Sequence, residues 1–161
     1  MSRLQLCLVI NGRAEEAVRF YAATFPETAI GRIHAAGSDF PGGKAGDPLV
    51  VEFTLLGQPC FALNHGPPTP FSDAISFQVL TGDQAETDRY WDAIVGDGGQ
   101  ARDCGWCRDR FGLSWQITPR ALMEGMADPD PAVAGRVMRA MMTMQKIDIA
   151  AIEAARTGDT P

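Results

Sequence analysis

Cys104 and Cys107 stand in Asp103-Cys-Gly-Trp-Cys-Arg108, and a Cys-x-x-Cys spacing can serve thiol–disulfide exchange or supply half of a zinc site. A redox pair normally sits at a helix N-terminus, whose dipole lowers the thiol pKa, whereas the Gly and Trp around this pair point to a hairpin. Zinc needs two further ligands, and the only histidines are His34 and His65. Both cysteines are therefore read as structural thiols. Cys7 and Cys60 fall in apolar runs where cysteine packs as a small hydrophobe. Glu52 is the best candidate for a buried acid/base, with His65 beside it, and Asn64 and Gln116 are polar groups able to orient a ligand. Trp106, Trp115 and Phe61 offer stacking surface. Each has a plainer reading: Glu52 as a solvated strand residue, His65 before Gly66-Pro67 as an ordinary loop residue.

The elements that must position these groups occur twice. Asn11 to Phe25 reads as a strand end running into an amphipathic helix, and 70 positions later Thr81 to Val95 repeats it, with Arg19-Phe20-Tyr21 over Arg89-Tyr90-Trp91. Short apolar strands precede each helix, Leu4 to Ile10 and Ile75 to Leu80. Glycine-led strands follow, Gly57 to Asn64 and Gly112 to Thr118. Duplication of a βαβββ unit predicts an α+β fold, with two half-domains whose curled sheets face a cleft.

The first helix carries Ala14, Ala17, Val18, Tyr21 and Phe25 on one face, begins after Asn11-Gly12, has Glu15 and Glu16 in its first turn and stops at Pro26. In the second, Asp83 and Glu86 have capping-box spacing and Thr87, Trp91, Ile94 and Val95 form the buried stripe. Residues 35–48, rich in Gly and Pro, read as a loop or hairpin, and Val50 to Leu56 reads as a strand with Glu52 and Thr54 on one side and Val51, Phe53 and Leu55 on the other. After Pro119 the pattern turns helical. Asp128-Pro-Asp-Pro131 signals a helix through about Gln145, and Asp148 to Arg156 continues helically. Six of the seven methionines lie in this tail, and such a face packs against the domain or a second subunit. The 161 residues are read as one domain: module one 1–66, module two 72–118 and a helical tail 119–157.

The net charge of −6, with no clusters of Lys or Arg, argues against nucleic acid or an anionic membrane as a partner. No apolar run approaches the roughly 20 residues that span a bilayer, and the N-terminus lacks a signal-peptide layout, so a cytoplasmic location is expected.

With Ala74-Ile-Ser-Phe-Gln-Val79, Asp88-Arg-Tyr-Trp91, Cys104-Gly-Trp-Cys107, Asp109-Arg-Phe-Gly112 and Ser114-Trp-Gln-Ile117, the chain resembles the glyoxalase/bleomycin-resistance/dioxygenase (vicinal oxygen chelate) superfamily. Within it the nearest branch is the PhnB-like one, also labelled 3-demethylubiquinone-9 3-methyltransferase-like, and the resemblance runs over nearly the whole chain, tail included. It implies a divalent metal held by His and Glu from the first and last strands of each module. At those places stand Leu4, Gln5 or Leu6, then Phe61, then Ala74 or Ser76, then Gln116, which are not a competent ligand set. The methyltransferase label meets no Gly-rich strand-to-helix turn of the kind that holds S-adenosylmethionine. No Gly-x-Ser-x-Gly, phosphate-binding loop or His-Glu-x-x-His occurs either.

The expectation is a homodimer that binds a small aromatic or amphipathic molecule in a metal-free cleft, without a cofactor. Trp106, Trp115 and Phe61 would stack on the ligand, and Gln116, Asn64 and Glu52 would orient it. An enzyme of the same superfamily, of lyase, isomerase, dioxygenase or methyltransferase type, is the alternative. A structural protein whose cleft is filled by Trp115 and its own Phe residues is the third reading.

Overall fold

The computed structural model describes residues 4–10, 12–67 and 69–159. The chain forms two compact units, Met1–Pro70 and Phe71–Pro161. In the first, β1 (Leu6–Val9) leads through α1 (Ala14–Thr24) to β2 (Ala29–Ala35), β3 (Pro48–Leu55) and β4 (Gln58–Leu63). In the second, β5 (Phe77–Thr81) leads through α2 (Gln84–Gly96) to β6 (Gln100–Ala101), β7 (Trp106–Arg108) and β8 (Ser114–Pro119). The sheets have orders β1-β4-β3-β2 and β5-β8-β7-β6. In both, the opening strand runs parallel to the last and the other pairs are antiparallel. The chain thus has the α+β, twice-repeated βαβββ architecture read from its sequence, as two mixed four-stranded sheets.

Each sheet is covered on one face by its helix because apolar residues alternate along the strands while recurring every three to four along the helix. Ala14, Ala17, Val18, Tyr21 and Phe25 are buried, as are Val51, Phe53 and Leu55 of β3 and Cys60 and Ala62 of β4. Tyr21 stacks on Phe53, ring centroids 6.3 Å apart. The start signal at Asn11 falls outside the described residues. In the second unit Thr87, Tyr90, Trp91 and Ile94 form the buried face of α2, with Val95 only half-buried. Asp83 caps α2 by accepting from the Glu86 N–H at 2.8 Å. The Glu86 carboxylate returns to Gly82, accepting its N–H at 2.7 Å, one residue earlier than a standard capping box.

The tail consists of α3 (Arg120–Met126), α4 (Pro131–Met141) and α5 (Ile149–Thr157). Asp130 caps α4, with Pro131 in its first turn. The helix ends four residues short of Gln145, because residues 142–148 turn to bring Ile147 into a small core with Leu122, Val137 and Ile152. Met141 and Met144 pack against that core, whereas Met123, Met126, Met138 and Met142 stay exposed. The turn is held to module two by backbone groups. Cys104 and Gly105 N–H donate to the Met144 and Gln145 carbonyls, each at 2.8 Å. Gln84 donates to the Ile147 carbonyl at 3.1 Å and accepts from the Ile149 N–H at 2.8 Å. No helix among the described residues is long and apolar enough to cross a membrane.

Candidate functional site

The face of the second sheet turned away from α2 carries polar residues in register. Trp106 of β7 lies opposite Gln116 of β8, and Gln78 of β5 is beside Gln116 on the other side. Gln116 donates through Nε2 to Ser76 Oγ at 2.7 Å, and Gln78 reaches Thr118 Oγ1 at 3.3 Å. Next to them Asp73, on the irregular segment before β5, gathers three donors on one carboxylate oxygen: Arg102 at 2.6 Å, Ser114 at 2.7 Å and Arg108 at 2.9 Å. The Arg102 bond first, then those of Ser114 and Arg108, hold the Asp73 carboxyl far below the usual carboxylate range. Arg102 and Asp73, with Trp106 and Gln145, line an open depression of about 570 Å³. Asp73 carries no motif in the sequence. Only strand register shows that Arg102, Arg108 and Ser114 converge on it.

Trp115 is one residue from Gln116 and points the other way, since successive strand residues face opposite sides of a sheet. It has no exposed surface. Its ring meets Phe77 edge-on, centroids 5.5 Å apart, and its indole N–H donates to Asp109 Oδ2 at 2.9 Å. Trp115 is therefore a core residue of the α2 face, and the expectation that it lines a ligand site alongside Gln116 gives way to that placement.

On the first sheet Glu52 and its cross-strand neighbour Phe61 occupy the face away from α1. Glu52 is not buried, as a desolvated acid/base would be, because its side chain is 51% exposed and accepts from or donates to His34 Nε2 at 2.8 Å, according to the protons carried. Sequence reasoning gave His34 no role. An irregularity in β2 between Ile30 and Ile33 sets this pairing, and Gly31 leaves room for it: a Cβ there would lie 3.0 Å from the Glu52 carbonyl oxygen. Asn64 is half-buried and spans two backbone groups, accepting from the Ala14 N–H at 3.0 Å and donating to the Pro48 carbonyl at 2.9 Å. It thereby caps α1 from 50 residues away, and both ends of its amide are already engaged. His65 is exposed in the turn that follows.

Cys104 lies in a hairpin turn and Cys107 in β7 just after it, the hairpin context that the sequence implied. Cys104 and Gly105 both have positive φ, 61° and 80°, and the Trp106 N–H closes the turn on the Asp103 carbonyl at 3.2 Å. Cys107 is wholly buried, and burial first, then the Asp109 charge, pushes its thiol up to about 12. The native state thus retains a proton that the unfolded chain releases near its ordinary thiol pKa of roughly 8.5. Stability from this group is present below that pH and is lost as the pH rises toward 12. We expect iodoacetamide at pH 8 to leave Cys107 unmodified in the folded protein. Rapid labelling of Cys107, located by peptide mass mapping, would show that the thiol is not held this way.

With this geometry in place, comparisons with known proteins decide the family. The sequence profile of the 3-demethylubiquinone-9 3-methyltransferase family matches residues 2–118. The chain belongs to this family. A Bacillus cereus protein described as a 3-demethylubiquinone-9 3-methyltransferase, PhnB protein, is 28% identical with a TM-score of 0.65, over 73% of this chain and 99% of its own. A Pseudomonas aeruginosa protein is 18% identical with a TM-score of 0.61, over 74% and 98%. A glyoxalase/bleomycin resistance protein from Albidiferax ferrireducens is 16% identical with a TM-score of 0.46, over 69% and 92%. Comparison with curated proteins gives no match. The PhnB-like resemblance read from the sequence is thereby shown. It does not run through the tail: the family match ends at residue 118, so α3, α4 and α5 lie beyond it.

Neither group that the wider family implies fits the residues present. At the metal positions Gln116 and Ser76 are hydrogen-bonded to each other, Phe61 carries no donor atom, and Leu4, Gln5 and Leu6 offer neither carboxylate nor imidazole. Among the described residues no three His, Cys, Asp or Glu side chains are grouped to hold an ion. A methyl donor bound as in α/β methyltransferases needs a Gly-rich turn in a parallel sheet. The strand-to-helix segments here carry single glycines, Gly12 and Gly82, and each sheet has one parallel pair.

Proposed function

We propose that this family member binds a small aromatic or amphipathic molecule without a metal ion, on the face of its second sheet turned away from α2, and does so as a homodimer. The observation that carries this reading is the alignment of Trp106 with Gln116 across β7 and β8, which sets an aromatic plane that lines an open depression beside a primary amide. Trp106 offers stacking area and Gln116 offers a carbonyl oxygen, since its amide nitrogen is held by Ser76. The exposed Met123, Met126, Met138 and Met142 supply apolar surface for a second copy.

Of the three tryptophans, Trp91 and Trp115 are buried, so ligand-induced quenching of fluorescence reports on Trp106. Native mass spectrometry of freshly purified protein is expected to show a dimer carrying a small molecule. Gln116→Ala should weaken that complex by about 1–3 kcal/mol through one lost buried hydrogen bond, with the dimer mass unchanged. Wild-type affinity in both Gln116→Ala and Trp106→Ala would rule this face out.

One observation favours an enzyme as the second reading. The His34–Glu52 pair, 2.8 Å apart beside Phe61, has the arrangement in which a carboxylate orients an imidazole for proton transfer. A reaction abolished by both Glu52→Gln and His34→Gln, yet indifferent to added metal, would favour it over simple binding.

A further inference from the structure

The helices that follow residue 118 hold a second cavity, in a part of the chain that the family match does not reach. It measures about 390 Å³ and is walled on the α4 side by Ala140 and on the α5 side by Ala151, Ala154 and Ala155, with Met144 between. Small residues at four of those positions leave the space open. A volume of this size with predominantly apolar walls is typical of a small-ligand pocket.

Its polar groups are of one dominant sign. Arg136 and Arg139, three apart on α4 and therefore neighbours on the helix surface, both line it. Arg136 is fixed in place, donating through Nε to the Ala155 carbonyl and through Nη2 to the Arg156 carbonyl, both at 2.8 Å. A guanidinium has five N–H donors, so Arg136 keeps spare ones. Arg139 lies back along α4 over Gly135, where a Cβ would come within 3.4 Å of its Nη1. Neither arginine has a carboxylate partner among the described residues, although Arg156 of the same tail does, pairing with Glu153 at 3.0 Å. Asp159 also lines the cavity, but its carboxylate accepts from Thr157 Oγ1 at 2.9 Å. In a chain of net charge −6, two arginines three apart on one helix, without carboxylate partners and beside an alanine-walled cavity, suit an anion.

We propose that this cavity binds a monocarboxylate on a short alkyl chain, with the carboxylate on Arg139 and Arg136 and the chain against the alanines. It is a site separate from the sheet face that carries Trp106 and Gln116, so either can fail without the other. Octanoate is the probe. Calorimetric titration into wild-type protein should show saturable binding, one per chain, in the micromolar to sub-millimolar range. Octanol, with the same chain and no carboxylate, should bind about tenfold more weakly, as should octanoate to Arg139→Gln, while Arg139→Lys retains most of the affinity. Ala154→Phe should abolish binding by filling the space. If circular dichroism shows that variant unfolded, octanol and Arg139→Gln decide. Unsaturable uptake, or equal binding of octanoate and octanol with no effect of Arg139→Gln, overturns the proposal.

Discussion

Asp109→Ala is expected to destabilise the protein by about 3–5 kcal/mol, which lowers the thermal midpoint by on the order of 10 °C for a chain of this size. Asp109 is 4% exposed and its carboxylate closes the β7–β8 turn from within. One oxygen accepts the Phe111 and Leu113 N–H groups at 2.9 and 3.0 Å, and the other accepts the Trp115 indole N–H at 2.9 Å. Removing the carboxylate leaves three donors, those of Leu113 and Trp115 in a dry environment, where each costs roughly 1–3 kcal/mol when unsatisfied. The Asp109→Ala/Trp115→Phe double-mutant cycle separates the indole bond from the turn, because Trp115→Phe removes the N–H and keeps most of the ring. A coupling near zero would show that the turn bonds alone carry the effect. Full retention of stability in Asp109→Ala would contradict the whole account.

Asp109 also marks the boundary of what the sequence discloses. The duplicated βαβββ unit was readable because its evidence is periodic: Ala14, Ala17, Val18 and Tyr21 at helical spacing, and Val51, Phe53 and Leu55 at strand spacing, are all buried as read. Local chemistry was readable too. Asp83 and Asp130 cap the helices they precede, and the glycine beside Cys104 closes a hairpin. Side-chain direction at the site was legible only in part. The alternation that puts Gln116 on the open face of β8 also puts Trp115 on the covered face, so the two could not both line a ligand. Applying period two to Ser114-Trp-Gln-Ile117 would have separated them.

Other groups depended on long-range register, which no local pattern encodes. Asp73 lies 29 residues from Arg102 and 41 from Ser114, and Asn64 lies 50 from Ala14. His34 meets Glu52 through an irregularity in β2 that nothing in Ala29-Ile-Gly-Arg-Ile-His-Ala35 announces, apart from Gly31. Asp109-Arg-Phe-Gly112, an Asp with Gly three residues on, is an Asx-turn signature and could have identified Asp109 as structural. The buried thiol of Cys107 follows from strand register, which sets it opposite the buried Trp115.

Gly99→Ala is the other substitution with a large expected effect. Gly99 does not have positive φ, so its requirement is for space alone. A Cβ there would lie 2.2 Å from the Ile94 carbonyl oxygen and 2.6 Å from that of Arg108, pinned between the end of α2 and the end of β7. Both obstacles are backbone and cannot rotate away, so the methyl must push the strand from the helix. β6 is held to β7 by only two residue pairs, Gln100 with Arg108 and Ala101 with Cys107, and is the element that gives. We expect a cost of about 3 kcal/mol, at the upper end for overpacking, seen as a lower denaturation midpoint with an unchanged slope. The hairpin also carries Arg102 and Trp106, so the same variant should loosen the depression and weaken quenching of Trp106 by a ligand. Gly96, three residues earlier, is the control: it is the last residue of α2 and a Cβ there meets nothing within 4 Å. Gly96→Ala should stabilise the protein by roughly 0.5–1 kcal/mol through higher helix propensity. If the two alanine variants shift the midpoint equally, or in the same direction, the crowding assigned to Gly99 is absent.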